Sequence, residues 1–284
     1  MKKILITGAG SYIGTAFAAF AKDRYQIDTL DTLGDAWRTA DLSGYDVVFH
    51  VAGLAHQKET KENAPLYYTV NRDLAVDMAN KAKNEGVEQF IFLSTMSVYG
   101  RETGVITPET PPAPASHYGR SKWEAEQAIT PLQDEHFRVC ILRPPMVYGF
   151  GCKGNFQTVV KLVKKLPVFP RIKNERSMIY IENLCAFVAM AIDQRLDGLY
   201  FPQNREYLST CRMASVLADT MGKSLYMSYL CGFGVRVLRP FVGMLKKAFG
   251  SLIYEGTEQH NFSYCIAETD DSLRKSLEKP TENA

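Results

Sequence analysis

Short runs of apolar residues alternate with longer amphipathic stretches along the first half of the chain. A short apolar run bounded by turn-forming residues is typical of a strand buried in a parallel sheet. Such strands are predicted at residues 4–6, 25–30, 47–51, 89–93 and 137–142. Helices are predicted between them at residues 13–21, 65–85 and 118–135. Strands that alternate with helices predict an α/β fold with a doubly wound parallel sheet.

The pattern changes after about residue 150. Helices are predicted at residues 155–165 and 183–193, and a strand at residues 178–181. The tail after Asp270 is polar and is predicted to be loosely ordered. We therefore predict a large domain over residues 1–150 and a smaller lobe over residues 151–284, some of whose segments return to the sheet.

Composition and charge narrow the function classes. The 284 residues are 46% hydrophobic and 23% charged, as in soluble globular proteins, and the net charge of +2 does not call for nucleic acid as a partner. The six cysteines are scattered, without CxxC spacing or a companion histidine cluster, so no metal site is predicted. The apolar start is interrupted at residues 7–10, too early for a signal peptide, and we expect a cytoplasmic protein with reduced thiols.

A glycine-rich turn, Thr-Gly-Ala-Gly-Ser-Tyr-Ile-Gly over residues 7–14, follows the first predicted strand and opens the first predicted helix. A turn in this context binds the pyrophosphate of a dinucleotide at the helix N-terminus. Gly8 permits the tight turn, and Gly14 lets the helix pack closely on the sheet. The residues of the turn predicted to meet the cofactor are Gly8, Gly10, Ser11, Tyr12, Ile13 and Gly14.

Asp31 ends the second predicted strand, where an acidic residue accepts hydrogen bonds from the adenosine ribose hydroxyls. No Lys or Arg adjoins it, so NAD is favoured over NADP. Arg38 is the nearest basic residue and keeps NADP open as the less favoured alternative.

Tyr118 and Lys122 stand four residues apart and therefore share one face of a helix. A phenol has a pKa of about 10, and a nearby ammonium lowers that pKa because it favours the phenolate. The pair can thus make a tyrosine into a proton-transfer group near neutral pH.

With these motifs in place, residues 3–200 resemble the extended short-chain dehydrogenase/reductases, specifically the NAD-dependent epimerase/dehydratase family that acts on nucleotide sugars. The family pattern TGxxGxxG is met at Gly8 and Gly14, with Ser11 in place of its second glycine. Gly10 is expected to supply the missing backbone freedom. Ser-Thr-Met-Ser-Val-Tyr-Gly at 94–100 and Arg-Pro-Pro-Met-Val-Tyr-Gly at 143–149 resemble two further family blocks.

The resemblance implies a Rossmann-type fold and a set of site residues. The implied catalytic residues are Thr95, Tyr118 and Lys122. The implied cofactor contacts outside the glycine turn are Asp31, Asp41, Leu42, Val51, Ala52, Gly53, Asn71, Tyr118, Lys122 and Pro145, with Asp41 and Leu42 flanking the adenine. The implied substrate contacts are Thr95, Met96, Ser97, Lys153, Asn155 and Arg176, the last three at the diphosphate. His56 and His117 lie near these positions in sequence.

The resemblance also implies a reaction at C4 of a sugar. Tyr118 would take the proton from O4 as hydride leaves C4, Thr95 would orient the same oxygen, and Lys122 would hold the nicotinamide ribose. A 4-epimerase runs this step in both directions, whereas a 4-ketoreductase runs only the reduction. Met96-Ser97 supply no carboxylate after Thr95, which disfavours 4,6-dehydration.

The implied substrate is a UDP-hexose or UDP-N-acetylhexosamine. Residues 225–252 mix apolar and basic side chains. They are expected either to cap the lobe or to contact anionic lipid peripherally, which would suit a polyprenyl-diphosphate-linked sugar. A non-catalytic NAD(H)-binding regulator is the alternative on the same fold. A homodimer through the helix of Tyr118 is expected from the resemblance.

Overall fold

The computed structural model describes residues 1–55, 57–238, 241–257 and 262–278, without the side chains of residues 244 and 247. The strands, in chain order, are β1 Lys3–Thr7, β2 Gln26–Leu30, β3 Val47–His50, β4 Gln89–Leu93, β5 Gly104–Ile106, β6 Arg138–Leu142, β7 Met146–Tyr148, β8 Val168–Pro170, β9 Met178–Tyr180, β10 Gly198–Tyr200, β11 Tyr226–Ser228 and β12 Leu252–Tyr254. The α-helices are α1 Tyr12–Ala21, α2 Ala64–Tyr68, α3 Leu74–Asn84, α4 His117–Ile129, α5 Asn155–Lys165, α6 Ile181–Asp193, α7 Thr210–Thr220, α8 Tyr229–Leu238, α9 Gly243–Phe249 and α10 Thr269–Lys275.

In the described ranges, the central sheet has six parallel strands in the order β2-β1-β3-β4-β6-β10. Successive side chains of β1 point to opposite faces. Ile4 and Ile6 join the core that includes α1 and α6, while Leu5 joins the core that includes α3 and α4. Helices therefore cover both faces, and the predicted doubly wound α/β fold is confirmed.

The strand order reverses at β1, since β2 pairs on one side of it and β3 on the other. This is the switch point where ligands bind in open parallel sheets, beyond the carboxyl ends of the strands. Between β2 and β3 the chain makes only a 3₁₀ turn at Ala36–Thr39. β2 forms one edge of the sheet, because it pairs with β1 alone.

The helix predicted at residues 65–85 is interrupted. A π-helical turn, Thr69–Asp73, separates α2 from α3 and contains the buried Asn71. The helix predicted to reach residue 135 ends at Ile129 and is followed by the 3₁₀ turn Thr130–Leu132, where proline cannot continue the α-helical hydrogen bonds.

The prediction of a loosely ordered tail after Asp270 is wrong for the described part of it. α10 begins at Thr269, and its Ser272 and Leu273 are completely buried. Ser272 Oγ and Tyr148 Oη share a hydrogen bond of 2.5 Å. A polar sequence was misleading here because a hydroxyl that finds a buried partner costs little to bury.

In the described part of the chain, strands outside the central sheet form three short two-stranded pairs, β7 with β9, β8 with β11 and β5 with β12. α6 packs on α1, and β10 pairs with β6 at the edge of the central sheet. The boundary at residue 150 stays a prediction. None of the helices in the described part of the chain combines the length and the apolar character needed to span a bilayer.

Candidate active site

The glycine turn leads from β1 into α1 at the switch point. Gly8 has φ +84°, and a Cβ there would lie 2.8 Å from Ala52 Cα, so only glycine fits. The amides of Gly8 and Ala9 both donate to Leu30 O, at 2.9 and 3.3 Å. This turn places the positive end of α1 at the carboxyl edge of the sheet, where a pyrophosphate would bind.

Ser11, which replaces the second glycine of the family pattern, caps α1. Its Oγ accepts from Gly14 N at 3.2 Å. A Cβ on Gly14 would lie 2.6 Å from that Oγ and 3.0 Å from the side chain of Ile6, so the helix packs closely on β1. Gly10 has φ +76° with open space around it, consistent with its expected role.

The Tyr12 side chain turns away from the glycine turn. A Cβ on Gly149 would lie 2.7 Å from Tyr12 Oη, which is buried without a hydrogen-bond partner among the described residues. Burial strongly raises the pKa of this phenol. In this orientation the Tyr12 side chain points away from the turn. A contact of Tyr12 with the cofactor, as predicted, would therefore be made by its backbone.

Asp31 is exposed just beyond the end of β2, and its Oδ1 accepts from Leu33 N at 2.9 Å. Arg38, which kept NADP open, already pairs with Asp35 and Asp77 at 3.2 and 3.1 Å. Both carboxylates raise the pKa of Arg38, and its charge is therefore engaged by the protein.

Asp41 and Leu42 differ in their surroundings. Asp41 is exposed, and Ser43 lowers its pKa by donating from both Oγ and N to Oδ1, at 2.7 and 2.9 Å. Leu42 is completely buried in the core beside Trp37 and Leu5. The Leu42 side chain offers no exposed surface, and its contact with the adenine stays a prediction.

Asn71 is likewise completely buried. Its Oδ1 accepts from Leu54 N at 2.6 Å, and its Nδ2 donates to Leu54 O at 3.1 Å and to Ser121 Oγ at 3.2 Å. The predicted cofactor contact of Asn71 stays a prediction, and these hydrogen bonds give its side chain a positioning role. It ties the loop after β3, with its predicted cofactor residues Val51, Ala52 and Gly53, to α4.

Thr95 and Tyr118 meet at the end of β4. Thr95 caps the 3₁₀ turn Met96–Tyr99, since its Oγ1 accepts from Ser97 N at 3.1 Å. α4 approaches this turn closely, because a Cβ on Gly119 would lie 2.4 Å from Ser97 O. Burial raises the pKa of Tyr118, and a hydrogen bond with the Thr95 side chain opposes this shift.

Lys122 lies beneath this pair. Its Nζ donates to Leu93 O at 2.9 Å and sits 4.5 Å from the centre of the Phe92 ring. Burial lowers the pKa of Lys122 to about 7, and Glu126 opposes this shift. Burial, Thr95 and Tyr67 set the pKa of Tyr118 here, so a lowering of that pKa by the Lys122 charge stays a prediction.

The buried lysine predicts a specific pH dependence of stability. Between pH about 7, the pKa in the folded protein, and the ordinary lysine value of 10.5, the unfolded chain holds a proton that the folded chain lacks. The free energy of unfolding should therefore rise with pH in this window relative to Lys122→Met, by up to about 1.4 kcal/mol per pH unit. Urea unfolding of both proteins from pH 7 to pH 9.5 measures the difference. A constant difference would contradict a buried, neutral Lys122.

A buried ionic network lies next to Thr95 and connects the segments that hold the site. Glu126 and Arg143 pair with side-chain exposures of 3% and 5%, through Nε and Nη2 of the arginine. Ser94 Oγ donates to the same carboxylate, and Arg143 Nη1 donates to Tyr99 Oη at 2.7 Å. The network joins the end of β4, α4 and the 143–149 block, which includes the buried Pro145.

The predicted substrate residues lie on several segments. Ser97 Oγ is 3.2 Å from Thr95 Oγ1, and Met96 is partly buried. Lys153 and Asn155 are exposed around the start of α5. Arg176 donates from Nη1 to Gly250 O at 2.9 Å, while its buried Nε has no partner among the described residues. Burial lowers the pKa of Arg176, and the charge of Glu102 opposes this shift.

Glu59 is a site residue that the sequence did not indicate. Its carboxylate accepts from His117 N and Tyr118 N, both at 3.0 Å, and so caps α4 together with Ser116. His117 itself contacts Tyr68, with Nδ1 3.1 Å from the phenol oxygen, and His56 lies outside the described residues. No local pattern marks Glu59, because it caps a helix that begins 58 residues later.

We expect Glu59→Ala to loosen the start of α4. Two charge-assisted hydrogen bonds to a helix N-terminus are lost, which costs about 1 kcal/mol of stability. Amide hydrogen exchange at His117 and Tyr118 should become faster, as mass spectrometry of the peptide would show. Glu62→Ala is the matched control, an exposed glutamate of the same loop. Equal exchange in both variants would contradict the role of Glu59.

Within the described ranges, no cluster of three or more His, Cys, Asp and Glu residues could hold a metal ion. The candidate cofactor cradle consists of the glycine turn, the exposed Asp31 and the buried Lys122, all at the carboxyl edge of the parallel sheet. Gly8 and Gly14 leave no room for side chains at the turn, so β1, α1 and the loop after β3 pack closely there, as a dinucleotide-binding turn requires.

The chain is similar to known proteins over most of its length. It is 33% identical over 251 residues to the UDP-glucose 4-epimerase of Vibrio cholerae, covering 78% of this chain and 76% of that protein. It is 27% identical to the N-acetyl-alpha-D-glucosaminyl-diphospho-ditrans,octacis-undecaprenol 4-epimerase of Escherichia coli O157:H7, covering 92% and 89%.

The fold is similar to the crystal structure of the UDP-glucuronic acid 4-epimerase from Bacillus cereus in complex with NAD. The TM-score is 0.74 at 21% identity, with 96% of this chain and 95% of that chain covered. The sequence profile of the NAD dependent epimerase/dehydratase family matches residues 4–200. The chain belongs to the NAD dependent epimerase/dehydratase family.

Proposed function

We propose that this protein is an NAD-dependent enzyme that acts at C4 of a nucleotide sugar, as a 4-epimerase. The observation that carries the proposal is the grouping of Thr95, which caps the turn after β4, with Tyr118 and the buried Lys122 of α4, where α4 approaches that turn closely. The pair lies at the end of β4, at the same edge of the sheet as the glycine turn after β1. A binding module has no need of these three side chains together.

The bound cofactor would accept and return a hydride at C4. Gly8, Gly10, Ser11 and Gly14 would hold its pyrophosphate, and Asp31 its adenosine ribose. Arg38 is engaged by two carboxylates, which supports NAD over NADP.

The chain's own residues would move one proton. Tyr118 takes the proton from O4 of the sugar as C4 is oxidised, and returns it when C4 is reduced from the other face. Thr95 hydrogen-bonds the same oxygen and fixes its position. Lys122 binds the nicotinamide ribose, and a protonated Lys122 would favour the phenolate. Met96 and Ser97 carry no carboxylate for an elimination, so the sugar keeps its C6 hydroxyl.

We propose that Lys153, Asn155 and Arg176 hold the diphosphate of the substrate. The unpartnered Nε of Arg176 supports this, because a diphosphate oxygen would complete the donor set of the guanidinium. A UDP-hexose or a UDP-N-acetylhexosamine is the proposed substrate, and the Vibrio cholerae relative supports the epimerase reaction.

A sugar linked through diphosphate to a polyprenol is the second candidate substrate. The Escherichia coli relative with an undecaprenol-linked substrate supports it, since it matches 92% of this chain. We further propose a cytoplasmic homodimer that pairs through α4, and peripheral membrane contact through residues 225–252.

The deciding experiment incubates the purified protein with a panel of UDP-sugars, with and without added NADH. Interconversion of C4 epimers without net loss of NADH is the expected result. Stoichiometric NADH loss with a 4-ketosugar would instead establish a 4-ketoreductase. NAD binding without turnover of any UDP- or dTDP-hexose or polyprenyl-linked sugar would favour a non-catalytic regulator.

A further inference from the structure

The positive charge of the chain is concentrated in two segments, residues 151–174 and 220–254. Together they contain eleven of the 33 lysines and arginines and none of the 31 aspartates and glutamates. The rest of the chain is therefore acidic, although the net charge is only +2. The two segments lie side by side in the fold, since β8 pairs with β11.

A face of α8 exposes large apolar side chains next to these cations. Tyr229, Leu230 and Phe233 are 70%, 81% and 66% exposed, and Val237 on the same helix is 52% exposed. Leu230, Phe233 and Val237 are spaced three, four and seven residues apart, which places them on one side of the helix, and Tyr229, four residues before Phe233, lies on the same side. Tyr226, in the preceding strand, is 71% exposed and extends the same stripe.

The other side of α8 packs on the protein. Gly232 is buried, and a Cβ on it would lie 2.2 Å from Arg171 O. α8 therefore rests on the segment after β8 through this glycine, with the apolar stripe turned outward.

Cations border the stripe. The Arg171 guanidinium lies 4.5 Å from the centre of the Tyr229 ring, and Arg236 is exposed in the last turn of α8. Lys164 and Lys165 are exposed at the end of α5, just before β8. Arg239 and the side chain of Lys247 lie outside the described residues.

We infer that this α8 surface docks on an anionic lipid bilayer. The surface consists of Tyr226, Tyr229, Leu230, Phe233 and Val237 with Arg171 and Arg236. Aromatic and aliphatic side chains enter the boundary between headgroups and acyl chains, while arginines meet the phosphates of anionic lipids. A broken, basic, apolar segment of this kind lies on a membrane and does not cross it.

The charge distribution argues against a second copy of the chain as the occupant. In a two-fold symmetric dimer the same patch faces itself, so the arginines of this surface would face arginines of the second copy. The segments 151–174 and 220–254 contain no aspartate or glutamate that could pair with them. Like charges placed together in an interface oppose association. An anionic bilayer offers the opposite charge and a place for the apolar side chains.

The test is co-sedimentation of the full chain with vesicles of phosphatidylcholine alone or mixed with an equal part of phosphatidylglycerol. We expect binding to the mixed vesicles that weakens at high ionic strength, and much weaker binding to phosphatidylcholine. Binding that is equal for both vesicles, or absent from both, overturns the inference.

Variants locate the surface. The double variant Leu230→Asp, Phe233→Asp should abolish sedimentation with vesicles, whereas Ile266→Asp, at an exposed apolar residue elsewhere, should not. Arg171→Glu and Arg236→Glu should each weaken vesicle binding by about fivefold or more, because each removes a cation that contributes about 1 kcal/mol at an anionic surface. Lys22→Glu is the exposed control. Equal binding by the α8 variants and their controls would place the contact elsewhere.

Self-association is tested in the same proteins by sedimentation equilibrium without lipid. If the double variant is monomeric where the native chain dimerises, a second copy covers the α8 surface and the inference fails. Vesicle binding requires no turnover, so Tyr118→Phe should bind vesicles like the native chain. Failure of the proposed function and failure of membrane docking are thereby distinguished.

Discussion

Tyr118→Phe is expected to lower kcat by about 10²- to 10⁴-fold, the range that general acid–base catalysis contributes. Phenylalanine keeps the ring that packs edge-on against Tyr67 at 6.5 Å, so the fold of the site should survive. It cannot take a proton from O4 or return one. NAD affinity should be essentially unchanged, since the cofactor cradle is intact. The measurement is kcat with the sugar accepted in the UDP-sugar panel, alongside calorimetric titration with NAD.

Tyr68→Phe is the matched control for this variant. Tyr68 is a partly buried tyrosine of the neighbouring helix, and its hydroxyl bonds to His117. The same loss of one hydroxyl there should leave kcat nearly unchanged. A large fall in NAD affinity in Tyr118→Phe, or equal activity in the two variants, would contradict the proton-transfer role of Tyr118.

Glu126→Gln is expected to destabilise the fold by about 3–5 kcal/mol, the usual cost of removing one partner of a buried ion pair. Arg143 would remain buried at 5% exposure with its charge uncompensated. Ser94 would also lose the carboxylate to which it donates, beside Thr95. We therefore expect a lower midpoint in urea and a lower kcat in the surviving folded protein.

Glu124→Gln, on the same helix, provides the comparison. Glu124 pairs with Arg72 at 2.8 Å, but its side chain is 33% exposed and that of Arg72 37%. A partly exposed pair is worth about 0–1 kcal/mol because water screens it. The free energies of unfolding of the two variants, measured in urea, should thus differ by several kcal/mol. Similar stabilities would show that the Glu126 pair is not a determinant of the fold.

Much of the cofactor side of the site could be predicted because it depends on local geometry. A strand, a turn with φ above zero at Gly8 and a helix capped by Ser11 form one continuous segment, so their sequence pattern is visible. The helical spacing of Tyr118 and Lys122 is local in the same sense. The buried strands were predictable because their apolar runs are uninterrupted.

The sequence was least informative where contacts join distant segments. Leu42 and Asp41 are neighbours in sequence, yet one is buried and the other exposed. A continuous helix was predicted at residues 65–85, but a π-helical turn interrupts it and directs the Asn71 amide to Leu54 and Ser121. The polar tail after Asp270 was expected to be loosely ordered, but Ser272 of α10 is buried and shares a hydrogen bond with Tyr148.

The sequence by itself determined the α/β class, the glycine turn and the pairing of Tyr118 with Lys122 on one helical face, because periodicity and turn chemistry act over a few residues. Only the tertiary structure decided that Lys122 is desolvated, that Glu59 caps α4 and that Glu126 and Arg143 form the buried support of Thr95. Burial and ion pairing depend on which remote segments meet. Local spacing indicated Tyr118 and Lys122 as a proton-transfer pair. The position and the charge of these two side chains depend on contacts between distant segments, which no local pattern contains.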